Sequence, residues 1–156
     1  MKIGGIDPRT LPTEEVLVIP RGDEAIVFYA CGVSNMEEFK ALCSEPEAPV
    51  KWTKDGRVPD EGDENYKTVL AEYLRRRLAF IVVNSLVPSK IEWDTVKMDN
   101  PATWANWEDD LRNSGLSQME CNRVLNLVLE ANCLDEKKLR KAREVFLQGP
   151  PREKPE

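Results

Sequence analysis

A helical pattern runs through the middle of this chain, over residues 66–86. Apolar side chains recur there at helical spacing and end in the longest apolar run of the sequence, LAFIVV at residues 78–83. Since no glycine or proline interrupts the pattern, it predicts one continuous helix whose second half is the most buried element. A bilayer-spanning helix needs about 20 apolar residues, so we expect a soluble protein.

Two short runs rich in β-branched residues precede this helix, at 16–19 and 25–30, with the turn-forming sequence PRGD between them. This pattern predicts an antiparallel β-hairpin. Ser34, with Glu37 three residues later, predicts a capping box that begins a short helix. We therefore expect residues 1–44 to form a β-hairpin followed by a short helix.

Residues 45–65 have the composition of a loop, with three prolines, two glycines, and seven acidic against three basic side chains. The composition predicts an acidic loop that either links two parts of one domain or moves at the surface. Trp52 is the exception within it, and we expect its ring to pin the loop by packing.

Three short helices are predicted between residues 101 and 147, with Asn100, Ser117 and Asp135 as their N-caps. Glu120 completes a capping box with Ser117. The predicted inward face of the last helix consists of Leu139, Ala142 and Phe146. Before these helices, residues 91–96 alternate apolar and polar side chains, which predicts an extended segment beside the hairpin.

The predicted fold class is α+β and mostly helical: an N-terminal β-hairpin with a short helix, then a long helix and a C-terminal three-helix bundle. Residues 66–147 are expected to pack with the hairpin as one domain. The polar, proline-rich stretch 148–156 is predicted to be a disordered tail.

The chain contains no histidine, which excludes serine–histidine and cysteine–histidine nucleophiles and zinc sites that use histidine. Its eight glycines form no phosphate-binding motif. The four cysteines form two pairs, each separated by eleven residues, which is too wide for a zinc ribbon. We expect reduced, packed thiols. The sequence therefore predicts a protein that is not an enzyme and that needs no cofactor or metal.

Aromatic side chains are the candidate anchors for a protein partner. Three of the four tryptophans, Trp93, Trp104 and Trp107, fall within fifteen residues of one another, and tryptophan is a frequent hot-spot residue at interfaces. With Phe80 they are the candidate partner-binding residues. The alternative is that they form the core that joins the first C-terminal helix to the extended segment, which is the interpretation the spacing favours for Trp104 and Trp107.

The region 101–131 also has the pattern of a helix–turn–helix motif, in which a break separates two predicted helices. The exposed front of that second helix carries amides and one base: Gln118, Asn122, Arg123 and Asn126. Amides can read base edges, but a single arginine supplies few of the phosphate contacts that dominate affinity. The formal net charge of −6 also argues against nucleic acid. A small DNA-binding regulator therefore remains the alternative.

The stretches 91–96 and 99–108 resemble the tail assembly chaperones of long-tailed bacteriophages. Further stretches that resemble the same family are residues 19–22, 42–49, 115–117 with Glu120, 132–139 and 142–147, together with Tyr66 and the run that follows it. The resemblance therefore spans most of the chain. It contains no catalytic signature and consists of helix caps and tryptophans.

The resemblance implies a small, non-catalytic protein without cofactors, made in the cytoplasm of the infected bacterial host. Such a protein binds the tape-measure protein, keeps it soluble, assists assembly of tail-tube subunits around it, and does not remain in the mature virion. A homo-oligomer that wraps its client is compatible with this reading. A structural head or tail component that stays in the virion is the remaining alternative.

Overall fold

The computed structural model describes residues 1–149, and the α+β fold class is confirmed. The elements, in chain order, are β1 (Glu14–Arg21), β2 (Glu24–Cys31), α1 (Glu37–Leu42), β3 (Val50–Thr53), β4 (Gly56–Pro59), α2 (Glu64–Ser85), α3 (Trp107–Asn113), α4 (Gln118–Ala131) and α5 (Glu136–Gln148). They are accompanied by three 3₁₀ turns, Pro8–Thr10, Val87–Ser89 and Pro101–Asn106. Over residues 1–149, no helix has the length and apolar character that a membrane span requires.

The predicted hairpin is confirmed, because β1 and β2 pair antiparallel from Glu14 opposite Cys31 to Arg21 opposite Glu24. Gly22 turns the chain between them with a φ of +60°, a left-handed conformation that glycine adopts without steric cost. Side chains alternate across each strand, so the hairpin has an inner and an outer face. The inner face packs into the core with Leu17, Ile19, Ile26, Phe28 and Ala30.

The long helix α2 runs from Glu64 to Ser85, close to the predicted bounds. It begins at Asp63, whose carboxylate accepts a hydrogen bond of 2.8 Å from the backbone N–H of Tyr66. Its second half is buried, as the apolar run predicts. Residues of that half which are at most 5% exposed are Ala79, Phe80, Ile81, Val82, Val83 and Ser85.

Asn132 ties the ends of the hairpin, α2 and α4 together. Its side-chain oxygen accepts a hydrogen bond of 2.8 Å from the backbone N–H of Val33, and its side-chain nitrogen donates one of 2.8 Å to Ser85 Oγ. Gly32 approaches so closely that a Cβ there would lie 2.7 Å from the carbonyl oxygen of Ala131. The hairpin is therefore fixed to the helical layer where β2 ends.

The predicted capping box at Ser34 and Glu37 is wrong. Helix α1 begins at Glu37, so this residue occupies the first turn and cannot serve as the third helical residue of a box. Asn35 takes over the capping, because its side-chain oxygen accepts a hydrogen bond of 2.7 Å from the backbone N–H of Glu37.

Residues 45–65 are not all loop, because β3 and β4 form a second antiparallel hairpin within them. Gly56, with a φ of +110°, closes its turn, and Thr53 Oγ1 accepts a hydrogen bond from the N–H of Asp55. The expected packing of Trp52 is also wrong. Trp52 is 77% exposed, and the guanidinium carbon of Arg57, in the same hairpin, lies 5.6 Å from its ring centroid.

Two of the C-terminal helices, α3 and α4, pack with α2. The capping box at Ser117 and Glu120 is confirmed, and Asp135 caps α5 as predicted. Asn100 caps a 3₁₀ turn that leads into α3.

The predicted inward face of α5 is wrong, because no residue of that helix is buried. Leu139 is 44% exposed and Phe146 is 82% exposed. Ala142, the third residue predicted for this face, is exposed too. Most of the tail predicted over 148–156 lies outside the described residues.

Candidate interaction surfaces

The aromatic residues predicted to bind a partner lie mainly in the core. Trp104 is fully buried, and Phe80 and Trp107 are at most 8% exposed. The ring centroids of Phe80 and Trp104 are 5.1 Å apart, and Phe39 adds a third ring at 5.5 Å from Phe80. Trp93 is half-buried and packs against the same core. The structure therefore places these side chains where they stabilise the fold.

Asp110 holds the segment that carries Trp93 against α3. Its carboxylate accepts hydrogen bonds from the backbone N–H and the hydroxyl of Thr95, at 2.9 and 2.7 Å, and from the backbone N–H of Val96, at 3.3 Å. Burial raises the pKa of Asp110, but these hydrogen bonds together outweigh burial and leave that pKa below its ordinary value. Residues 91–96, predicted as an extended segment beside the hairpin, form no strand and are held to α3 by these hydrogen bonds to Asp110.

The outer face of the first hairpin is apolar and open. It is defined here as the outer hairpin face, Val16, Val18, Val27 and Tyr29. In the sheet register Val16 lies opposite Tyr29 and Val18 opposite Val27, so the four side chains form one patch. Their exposed fractions run from 36% for Val27 to 56% for Val18. A contiguous apolar patch of this kind marks an interaction surface more often than scattered single residues do.

Both strands that carry this face are held in place by other elements. The hydroxyl of Ser89 accepts a hydrogen bond of 2.8 Å from the Tyr29 N–H and donates one of 2.7 Å to the Tyr29 carbonyl. This covers the free edge of β2. At the tip of the hairpin, Arg21 Nη2 donates a hydrogen bond of 2.6 Å to Glu120 on α4. The outer hairpin face is therefore presented by a supported sheet.

The contact between the hairpin and α4 reuses a helix cap. Glu120 Oε2 also accepts a hydrogen bond of 2.8 Å from the backbone N–H of Ser117. The hydrogen bond from Arg21, with that from Ser117, lowers the pKa of Glu120 to about 2. Glu120 therefore stays ionised over the whole physiological range, and one carboxylate both caps α4 and positions the hairpin.

A groove runs along the first half of α2 and is called here the α2 groove. It consists of two adjoining clefts of about 440 and 390 Å³. Its apolar lining comes from Leu42, Pro46, Pro49, Val69 and Tyr73. Its charged lining consists of Glu47, Asp63, Glu72 and Arg76. The groove is thus apolar at its floor, with three acidic side chains and one basic side chain around it.

The cysteine thiols and the carboxylates of residues 1–149 form neither a disulfide nor a metal site. All four cysteines are free, and burial raises the pKa of the Cys121 and Cys31 thiols. No group of three cysteine, aspartate or glutamate side chains there is arranged to hold a metal ion.

No family model, curated protein or solved structure matches the chain.

Proposed function

We propose that this chain is a non-catalytic assembly chaperone that binds an amphipathic helix of a client protein on the outer hairpin face. The observation that carries the proposal is a two-stranded sheet with two apolar faces, only one of which is packed into the core formed by residues 1–149. A sheet gains stability by burying each apolar face against another layer. Recognition of an amphipathic helix by an apolar surface is a recurrent mode of peptide binding.

The identity of the client comes from the resemblance to tail assembly chaperones of long-tailed bacteriophages. It proposes the tape-measure protein as the client and the tail-tube protein as a second partner, in the cytoplasm of the infected host. A long helical client with apolar stripes has the chemistry that the outer hairpin face would bind. The proposed role involves no catalytic step and no cofactor, and the chaperone would leave before the virion matures.

The DNA-binding alternative is less well supported by the surface of α4. At its exposed front, the side-chain amide of Gln118 donates a hydrogen bond of 2.7 Å to Glu108, so this amide is already bound to a carboxylate. A carboxylate at that position repels the phosphates that dominate DNA affinity. A duplex-DNA mobility shift at low salt tests this alternative, and mass spectrometry of purified virions tests the alternative of a structural component.

The proposal is tested by co-expression with the proposed client, a tape-measure protein. Val18→Asp places a charge in the outer hairpin face, and Val50→Asp is its matched control, because both valines are about half exposed, at 56% and 51%. Val18→Asp should reduce the amount of co-purified client at least about tenfold, the equivalent of about 1.4 kcal/mol in binding free energy. Val50→Asp should leave it unchanged. Equal recovery of client with both variants would contradict the proposal.

A further inference from the structure

Helix α5 is a basic amphipathic helix with no residue buried by the rest of residues 1–149. Over Glu136–Gln148 it has five basic and two acidic side chains, a net charge of 5 − 2 = +3 in a chain of net charge −6. Its apolar residues at helical spacing, Leu139, Ala142 and Phe146, lie on one face. Within residues 1–149, Lys138 is the one base of α5 that forms an ion pair, to Glu15 and Glu130.

The α2 groove has the opposite character. Arg76, the base in its lining, pairs with Glu72 at 3.3 Å, and within residues 1–149 the other two acidic side chains of the lining, Glu47 and Asp63, form no ion pair. The chain that borders the groove adds to this, because residues 45–64 carry seven acidic and three basic side chains, a net charge of 3 − 7 = −4. An apolar floor with an acidic border is complementary to a helix with an apolar face and a basic border.

The dimensions also correspond. Helix α5 has 13 residues, which at about 1.5 Å per residue gives a length of about 20 Å. The groove follows α2 from Asn65 to Arg76, a distance of about 17 Å at the same rise. One α5 helix is therefore long enough to fill the groove.

We propose that α5 of one copy docks in the α2 groove of a second copy, which makes a head-to-tail oligomer. In its own chain α5 is anchored elsewhere. Lys138 bonds to the hairpin and to α4, and the small cleft beneath Leu139 and Ala142 is lined by those elements and the turn before α5. Within residues 1–149, α5 therefore does not fill the groove of its own chain. Each copy offers one helix and one groove, so the contact is heterologous and generates rings or filaments instead of a closed twofold dimer.

The test uses two variants of the full-length chain that each remove one half of the contact. Phe146→Asp places a charge in the apolar face of α5, and Val69→Asp places a charge in the groove. Both side chains are exposed, at 82% and 46%, so both variants should keep the fold. Sedimentation equilibrium between about 1 µM and about 1 mM spans weak to moderate affinities. The wild-type chain should self-associate over this range, and each variant alone should stay a monomer.

The decisive step is to mix the two variants. Phe146→Asp retains an intact groove and Val69→Asp retains an intact α5, so their equimolar mixture should form a 1:1 dimer that grows no further. A mixture that stays monomeric would overturn the proposal. So would a wild-type chain that is monomeric throughout, as expected if α5 folded into its own groove, or one that pellets with anionic phosphatidylserine vesicles without self-associating.

The salt dependence of self-association is a second readout, because a purely apolar contact would not weaken when surface charges are screened. Raising the salt from about 0.05 M to about 0.5 M screens surface charges and should weaken self-association several-fold. Independence from salt would contradict the role assigned to the bases of α5. Val18→Asp should self-associate like the wild type, so loss of client binding and loss of self-association are distinguishable results.

Discussion

Replacing Asp110 by alanine should destabilise the protein strongly, because the carboxylate is 6% exposed and accepts three hydrogen bonds. The Val96 N–H belongs to a buried residue, and leaving such a donor without a partner costs about 1–3 kcal/mol. The two bonds from Thr95 are partly accessible to water, so each adds only about 0.5–1.5 kcal/mol. The expected loss is therefore about 2–6 kcal/mol, out of a total stability of about 5–15 kcal/mol for a domain.

Urea denaturation followed by circular dichroism measures this loss at pH 7. Asp109→Ala is the matched control, since Asp109 is the exposed neighbour of Asp110 on the same helix. It should change the free energy of unfolding by no more than about 0.5 kcal/mol. A loss below about 1 kcal/mol for Asp110→Ala would refute the role of this carboxylate in holding residues 91–96.

The effect of Asp110→Ala should also depend on pH. The folded pKa of Asp110 is lowered relative to the unfolded chain, so its contribution to stability is present above the unfolded pKa, about 3.9. The contribution is lost as the pH falls through the folded pKa. The difference between wild type and variant should therefore be full at pH 7 and shrink below about pH 4. A difference that is the same at pH 7 and pH 3 would contradict the assignment.

Three further experiments test the buried core, a helix cap and the burial of a thiol. Trp104→Ala should cost about 3–5 kcal/mol in urea denaturation, whereas Trp52→Ala should cost under about 1 kcal/mol; equal costs would contradict the burial of Trp104. Ser117→Ala should cost about 1 kcal/mol in the same assay through the lost cap, and no loss would exclude the capping box. A thiol reagent should label exposed Cys133 much faster than buried Cys121, whose pKa is raised; equal rates would contradict that burial.

The parts of the fold that sequence predicts correctly are those with local physical causes. The capping box at Ser117 and Glu120 needs only four consecutive residues, and the turn at Gly22 needs a conformation that glycine favours. The bounds of α2 follow from a helical pattern that no proline or glycine interrupts. Each of these signals lies within one element, so no knowledge of the rest of the chain is required.

The wrong predictions concern features that depend on competing or distant partners. At α1 two side chains compete to cap one helix, and Asn35 instead of Ser34 meets the backbone N–H of Glu37. In residues 45–65 the acidic composition hides two strands of four residues each, which lack the length for a clear period-2 pattern. Helix α5 has an amphipathic pattern, but such a pattern does not say whether a partner in the same chain exists.

The outer hairpin face illustrates the same limit for the candidate site. The apolar run VLVI at 16–19 places apolar side chains on both faces of β1, as in strands that are buried on both sides. A face is covered only where another element packs against it. Here the position of α4 against the hairpin is fixed by the hydrogen bond between Arg21 and Glu120, which are 99 residues apart in sequence. The periodicity of a single strand carries no information about a contact at that distance. The tryptophans predicted to bind a partner lie mainly in the core, whereas the exposed valines of the outer hairpin face are the residues that a partner can still bury.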